Sequence, residues 1–168
     1  MEKLLVLDGR CRLRAWEPGE LGYRMVRGCS LREAIRLSRP NADQTRHNVI
    51  AVTGKVLIAQ FLIGAGPTGL TYCAIGDDPT APTPGDTTLT DEVYRQAWDT
   101  RTNTFNGITL DVLIAAAHCT FVIQEGGVFG GAASGTPGSG TLFSHFLQNF
   151  DNSLGLYDLT FEYQVSIG

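Results

Sequence analysis

Near the C-terminus, Leu159, Phe161, Tyr163, Val165 and Ile167 alternate with Asp158, Thr160, Glu162, Gln164 and Ser166. A period of two puts the apolar side chains on one face and predicts a strand with one side on a core. Ile108, Leu110, Val112 and Ile114 alternate with Thr109 and Asp111 in the same way, and apolar runs over 70–75, 119–124 and 141–147 read as further strands. A different spacing governs TGKVLIAQFLIG: Val52, Val56, Leu57, Phe61 and Leu62 share a helical face, and Gly64 with Gly66 supplies the stop. One buried helix of about three turns is expected there.

The first 47 residues read differently. Leu4 to Leu7 and Arg10 to Arg14 flank Asp8-Gly9, a dipeptide suited to a two-residue hairpin turn, and alternation places Arg10, Arg12 and Arg14 opposite Cys11, Leu13 and Ala15. Ser30 and Glu33 fit a capping box, and Pro40 limits the helix they open to roughly two turns. A hairpin and so short a helix have no core of their own and need a host surface. The fold expected is therefore mainly β: an antiparallel sandwich or barrel-like domain over 48–168 with one buried helix, preceded by an extended arm over 1–47. Two loops complete it. DDPTAPTPGDTTLTDE is read as a solvated surface loop, and GGVFGGAASGTPGSGT, rich in glycine, as a flexible tip or assembly contact.

Charge sharpens this division. The 168-residue chain carries a formal net charge of −4. Residues 1–47 hold ten basic and six acidic side chains, whereas 48–168 hold three basic and eleven acidic, so a +4 segment precedes a −8 body. The net balance speaks against a dedicated nucleic-acid binder, which needs a basic excess to neutralise phosphates. No apolar run approaches the roughly 20 residues of a membrane span, and the N-terminus lacks the apolar core of an export signal. The expectation is a protein made in a cytoplasm, with Cys11, Cys29, Cys73 and Cys119 as packed or surface thiols.

Catalytic and metal chemistry finds little support. Thr53-Gly54-Lys55 resembles the end of a phosphate loop, but Val49 and Val56 replace its first Gly and its Ser or Thr. His118 and Cys119 are neighbours that a strand points to opposite faces, and His47 and His145 lack partners at ligand spacing. The acidic residues of the proline-rich loop miss the spacing of a calcium site. No cofactor or metal is expected, and the chain is read as non-enzymatic. Trp16 and Trp98 are few for sugar stacking, which leaves a carbohydrate-binding domain as the weakest alternative.

Four segments in order carry a resemblance: NVIAVTGKVLIAQFLIG, TYCAIGDDPTAPTPGDTTLTDEVYRQ, FVIQEGGVFGG and the closing alternating strand. They resemble a module of small structural proteins of tailed bacteriophages, similar to the N-terminal domain of tail-collar fibre proteins and to stand-alone virion proteins. The resemblance covers about residues 48–168, with Val128 where the family usually has leucine. It marks Gly54, Gly64, Pro82, Asp86, Glu92, Arg95, Glu125, Gly127 and Phe129 as structural motif positions, with Glu92 and Arg95 as an exposed local pair. It implies a virion location and a capsid decoration protein, homotrimeric, docked on the major capsid protein; a tail or baseplate adaptor is the alternative. Arg10, Arg12, Arg14, Arg32 and Arg36 are the candidates for docking on an acidic protein surface.

Overall fold

The computed structural model describes residues 7–66 and 68–168. In chain order the elements are β1 (Leu7–Trp16), α1 (Glu20–Val26), α2 (Leu31–Leu37), β2 (Ala42–His47), β3 (Val49–Ile50), α3 (Val52–Leu62), β4 (Leu70–Gly76), β5 (Glu92–Ala97), β6 (Thr100–Thr104), β7 (Gly107–Ile114), a 3-10 turn (Ala116–His118), β8 (Val122–Gly130), β9 (Thr141–Asp151) and β10 (Asp158–Ile167). They build two antiparallel five-stranded sheets, ordered β2-β1-β10-β7-β6 and β3-β9-β8-β4-β5, in the β-sandwich that the alternation predicts.

The core lies between the sheets. Cys11, Leu13 and Ala15 of β1, Val112 and Ile114 of β7, and Phe161 and Tyr163 of β10 meet Cys73, Ile75, Val128, Phe143 and Phe146 from the second sheet. Strand alternation alone dictates which residues of β1 and β10 point inward. On β9 the alternation slips at a bulge between the pairs Val128–Ser144 and Phe129–Leu142.

Asp8-Gly9 makes no turn. Both residues lie within β1, which pairs with β10 from Leu7–Ile167 to Trp16–Asp158 and with β2 from Arg10–His47 to Ala15–Ala42. Gly9 has another reason to lack a side chain: a Cβ there would fall 2.1 Å from the Asn48 side chain, whose Nδ2 donates to the buried Tyr163 hydroxyl. The proposed hairpin partner over Leu4 to Val6 lies outside the described residues. The host that 7–47 needs is thus the chain's own sheet, and the expected boundary at Asn48 falls between strands that share one core.

The capping box forms as expected: Glu33 N donates to Ser30 Oγ and Ser30 N to Glu33 Oε2. The helix it opens packs with α1, which the hydrophobic pattern did not signal, over Trp16 on the outer face of the first sheet. Trp16 Nε1 donates to Thr160 Oγ1 at 2.9 Å, and Leu21, Leu31 and Ala34 close over the ring. Thr109, Asp111, Asp158 and Thr160, expected to face solvent, are consequently buried.

The helix α3 forms where the spacing puts it, and Gly64 ends it at φ +67°. Its buried side matches the expectation only in part: Leu57 and, partly, Phe61 pack on the core as expected. Gly54 and Leu57 are buried, whereas Val52 and Val56 are about half exposed and Leu62 is 80% exposed. The reason is Gly54, where a Cβ would stand 2.2 Å from the Phe143 carbonyl oxygen, so the helix approaches β9 along its glycine. The four cysteines are free thiols, with Cys11, Cys73 and Cys119 buried.

Because β1 is an interior strand, removal of residues 1–40 is expected to abolish cooperative folding of the remainder. Circular dichroism and a urea melt check this; a soluble truncation with a cooperative β-type transition would show that β1 is dispensable. Leu13→Ala is expected to cost about 2–5 kcal/mol.

Candidate functional site

Apart from Gly54 and Gly64, which belong to α3 and its end, the motif positions converge on the outer face of the second sheet. Glu125 on β8 is fully buried and accepts from Thr90 N at 3.0 Å and Asp91 N at 2.6 Å, so its carboxylate pins the end of the proline-rich loop. Asp86, in the middle of that loop, accepts from Thr83 N and Thr83 Oγ1 and lies 2.7 Å from Nδ1 of His145 on β9. Nε2 of His145 is 2.9 Å from Glu125 Oε2, off the N–H line, which makes it a charge contact rather than an aligned hydrogen bond. A buried imidazole thus stands between two carboxylates, one from the loop and one from the sheet.

Beneath the loop, Leu89 packs with Ala74, Phe129 and Leu142. Gly127 lets the loop lie close, since a Cβ would come 2.9 Å from Leu89 Cδ2 and push that side chain aside. Pro82 is half-buried in the same loop. The loop is largely exposed, as expected, and it also covers this face of the sheet through Leu89.

Glu92 and Arg95 correct an expectation. The pair is local but buried, with 7% and 1% of their side chains exposed. Arg95 Nη2 donates to Glu92 Oε2 at 2.6 Å, Nη1 donates to the Ser139 carbonyl at 2.9 Å, and the guanidinium lies 4.5 Å from the Phe129 ring centre. It ties β5 to the segment 131–140. Of the glycine-rich stretch, 126–130 belongs to β8, where a Cβ on Gly126 would meet the Phe146 ring at 2.4 Å. Only 131–140 is loop, and Arg95 holds it down.

On the first sheet the arginines alternate outward as expected, but most are answered within the chain. Arg12 Nε donates to Asp43 Oδ1 at 2.7 Å, and Arg14 lies 3.2 Å from Glu162 Oε2. Arg32 Nε reaches Asp111 Oδ2 at 2.6 Å, a carboxylate only 1% exposed that also accepts from Thr100 Oγ1. These residues and Arg36 line an open groove of about 470 Å³ between α2 and the sheet. Arg36 is exposed on its wall, and Arg10 is exposed outside it, 3.7 Å from Asp8 Oδ2.

The other sequence candidates are accounted for by packing. Thr53 Oγ1 donates to the Leu142 carbonyl in the first turn of α3. His118 stacks on Tyr94 at 4.8 Å, while burial pushes the Cys119 thiol up to about 11. Trp16 and Trp98 are buried, which removes both from any sugar-stacking surface. Among the described residues no cluster of three or more His, Cys, Asp or Glu has metal-binding geometry, and no helix is long and apolar enough to cross a membrane.

No family model, curated protein or solved structure matches the chain.

His145 was passed over in the sequence for want of a partner at ligand spacing. Its signal was there: a histidine within TLFSHFL, apolar on both strand faces, has to be buried, and a buried imidazole needs polar partners. Burial opposes protonation of this ring, but the contacts with Glu125 and Asp86 outweigh it and raise its pKa. The stabilisation from the charged ring is therefore complete below about pH 6.5, the value of a free histidine, and is lost as pH rises through the raised folded value. For Asp86, burial works against the charged form, yet the bonds from Thr83 and His145 prevail and lower its pKa. Its contribution is present above the ordinary carboxylate value and is lost as pH falls through the lowered one.

Urea-unfolding free energies measured against pH are thus expected to decline above neutrality, and His145→Gln should flatten that decline while costing about 3 kcal/mol below it. An unchanged pH profile in the variant would show that the ring is neutral in the fold. Arg95→Met is expected to cost about 3–5 kcal/mol and to speed amide exchange selectively across 131–140.

Proposed function

We propose that the protein is a non-enzymatic structural protein of a bacteriophage virion, a decoration protein that docks on the major capsid protein and acts as a homotrimer. The observation that supports this most is the use made of the motif residues. Asp86, Glu92, Arg95, Glu125, Gly127 and Phe129 come from two stretches some thirty residues apart, 86–95 and 125–129, yet all serve to clamp two loops onto one sheet. Groups of this kind, each saturated by the chain itself, make a rigid outer surface rather than a reactive one. A protein that reinforces a shell acts through such surfaces, by adding binding free energy to the assembled state.

Docking on the shell would fall to the most exposed of these arginines, Arg36 on the groove and Arg10 beside it with only an exposed Asp8 nearby, because Arg12, Arg14 and Arg32 are engaged by Asp43, Glu162 and Asp111. The tail or baseplate adaptor remains the alternative, favoured by the likeness of the same motifs to collar-fibre domains.

Purified particles, quantified by mass spectrometry and imaged by cryo-electron microscopy, test the proposal. Decoration requires the protein over the shell at a copy number comparable with the major capsid protein; a ring at the tail would favour the adaptor, and absence from particles would overturn both. Arg10→Glu with Arg36→Glu is expected to leave the fold intact and weaken particle binding several-fold, with the remaining affinity more sensitive to salt in the wild type than in the variant.

A further inference from the structure

The apolar side chains of α3 that turn away from the core form a pattern of their own. At about 100° per residue, Val52, Val56, Ala59 and Ile63 fall on one narrow stripe, opposite Gly54, Leu57 and Phe61. Val52 is 54% exposed, Val56 53% and Ile63 80%, and Ala59 is exposed as well. Their separations of four, three and four residues are those of a seam along which α-helices pack on one another at a small crossing angle. A solvent-facing helix of a monomer carries polar residues on this side.

We propose that copies of this chain associate by packing α3 against α3 along this seam, about a shared axis. The proposal names the self-contact of the homo-oligomer in the functional reading, and it rests on that reading only for the number of copies. Three observations favour a second copy as the occupant.

The first is self-complementarity. A four-three-four stripe matches another of the same spacing, and the small Val and Ala side chains allow the close axial approach, about 8–10 Å, that helix pairs adopt. The second is charge. Each chain carries −4 overall, so copies repel over most of their surfaces. Residues 44–76 contain no Asp or Glu, and the residues flanking the stripe are Lys55 on one side and Gln60 on the other. Around a common axis with parallel helices, the Lys55 flank of one copy faces the Gln60 flank of the next, so no like charges meet.

The third is area. Four small side chains on an 11-residue helix cover much less than the roughly 800 Å² per partner of a stable interface, so a two-helix contact is too small. A ring, in which every helix meets two neighbours, buries both flanks of the stripe. It also brings in Leu62, 80% exposed, which borders the stripe on the Lys55 flank. The area argument thus favours three copies over two.

Sedimentation of the purified full chain, without particles, reads this contact directly. The expected mass is three times that of the 18.1 kDa chain, and Val56→Asp with Ile63→Asp should reduce it to one while leaving circular dichroism unchanged, since both side chains are exposed. In a Cys29→Ser background, Val52→Cys should cross-link to Val52→Cys of another copy. A wild-type chain that stays monomeric as concentration rises, or an oligomer that survives the double aspartate variant, would overturn the proposal. So would a seam that binds a different protein in place of a second copy. Particle binding is measured separately, so failure of the seam and failure of the virion reading are distinguishable: a monomer that still decorates shells rejects only the first.

Discussion

The antiparallel pairing of β1 with β10 joins the two ends of the chain, and the rest of the first sheet depends on it. Ten residues lie opposite ten, from Leu7–Ile167 to Trp16–Asp158. On one side β1 carries β2; on the other, β10 carries β7 and then β6. Without β1 the inner row Cys11, Leu13 and Ala15 disappears from the core, and Val112, Phe161 and Tyr163 lose a neighbouring row on their own face. Closing a contact of such sequence separation costs chain entropy before any burial offsets it. The sandwich is thus expected to form cooperatively across the whole chain, with little independent stability in either half.

A second constraint follows from how apolar both sides of the sheets are. Trp16 and Leu113 on the outside of one sheet, and Ala74, Phe129 and Leu142 on the outside of the other, need cover. The chain meets the need differently on the two faces. A helix pair with a capping box lies over the first, while the second receives two irregular loops. Loops have few backbone partners within themselves, so polar side chains of the sheet must hold them. Glu125, His145 and Arg95 do so from β8, β9 and β5, which explains why buried charges occupy positions that an isolated sheet would give to valine or threonine. Their benefit depends on complete pairing, because removing one partner leaves another charge in a poorly solvated place.

The same constraint explains which parts of the molecule were legible in the sequence. Strands β7 and β10 were readable because inward residues follow a local period, β4 and β9 because they are apolar runs, and the outward alternation of Arg10, Arg12 and Arg14 followed from the same period. The capping box at Ser30 is equally local. What failed to show was set by partners distant in sequence. Asp8-Gly9 looks like a turn until Asn48 is placed against Gly9. Glu92 and Arg95 look like an exposed i,i+3 pair until Ser139 and Phe129 enclose them. The strands β5 and β6 have mixed polar patterns because their positions lie toward the sheet edges. The resemblance marks positions that lie on the second sheet without revealing that His145 joins two of them.

Helix α3 brings these lines together. Its hydrophobicity is distributed almost all round, so periodicity alone does not decide which side is inside. Gly54 decides it: only a residue without a side chain tolerates the Phe143 carbonyl at that distance, and the helix must therefore present Gly54, and with it Leu57, to the sheet. Fixing one side fixes the other. Val52, Val56 and Ile63 are exposed because a glycine one turn away has claimed the inner face, and not because the helix is marginal or misplaced. Exposed apolar residues on a helix held this firmly cannot be buried by rotating it, since rotation would drive a Cβ into the β9 backbone. In the proposed association their cover is the same stripe of another copy, and the spacing of the stripe suits a second helix.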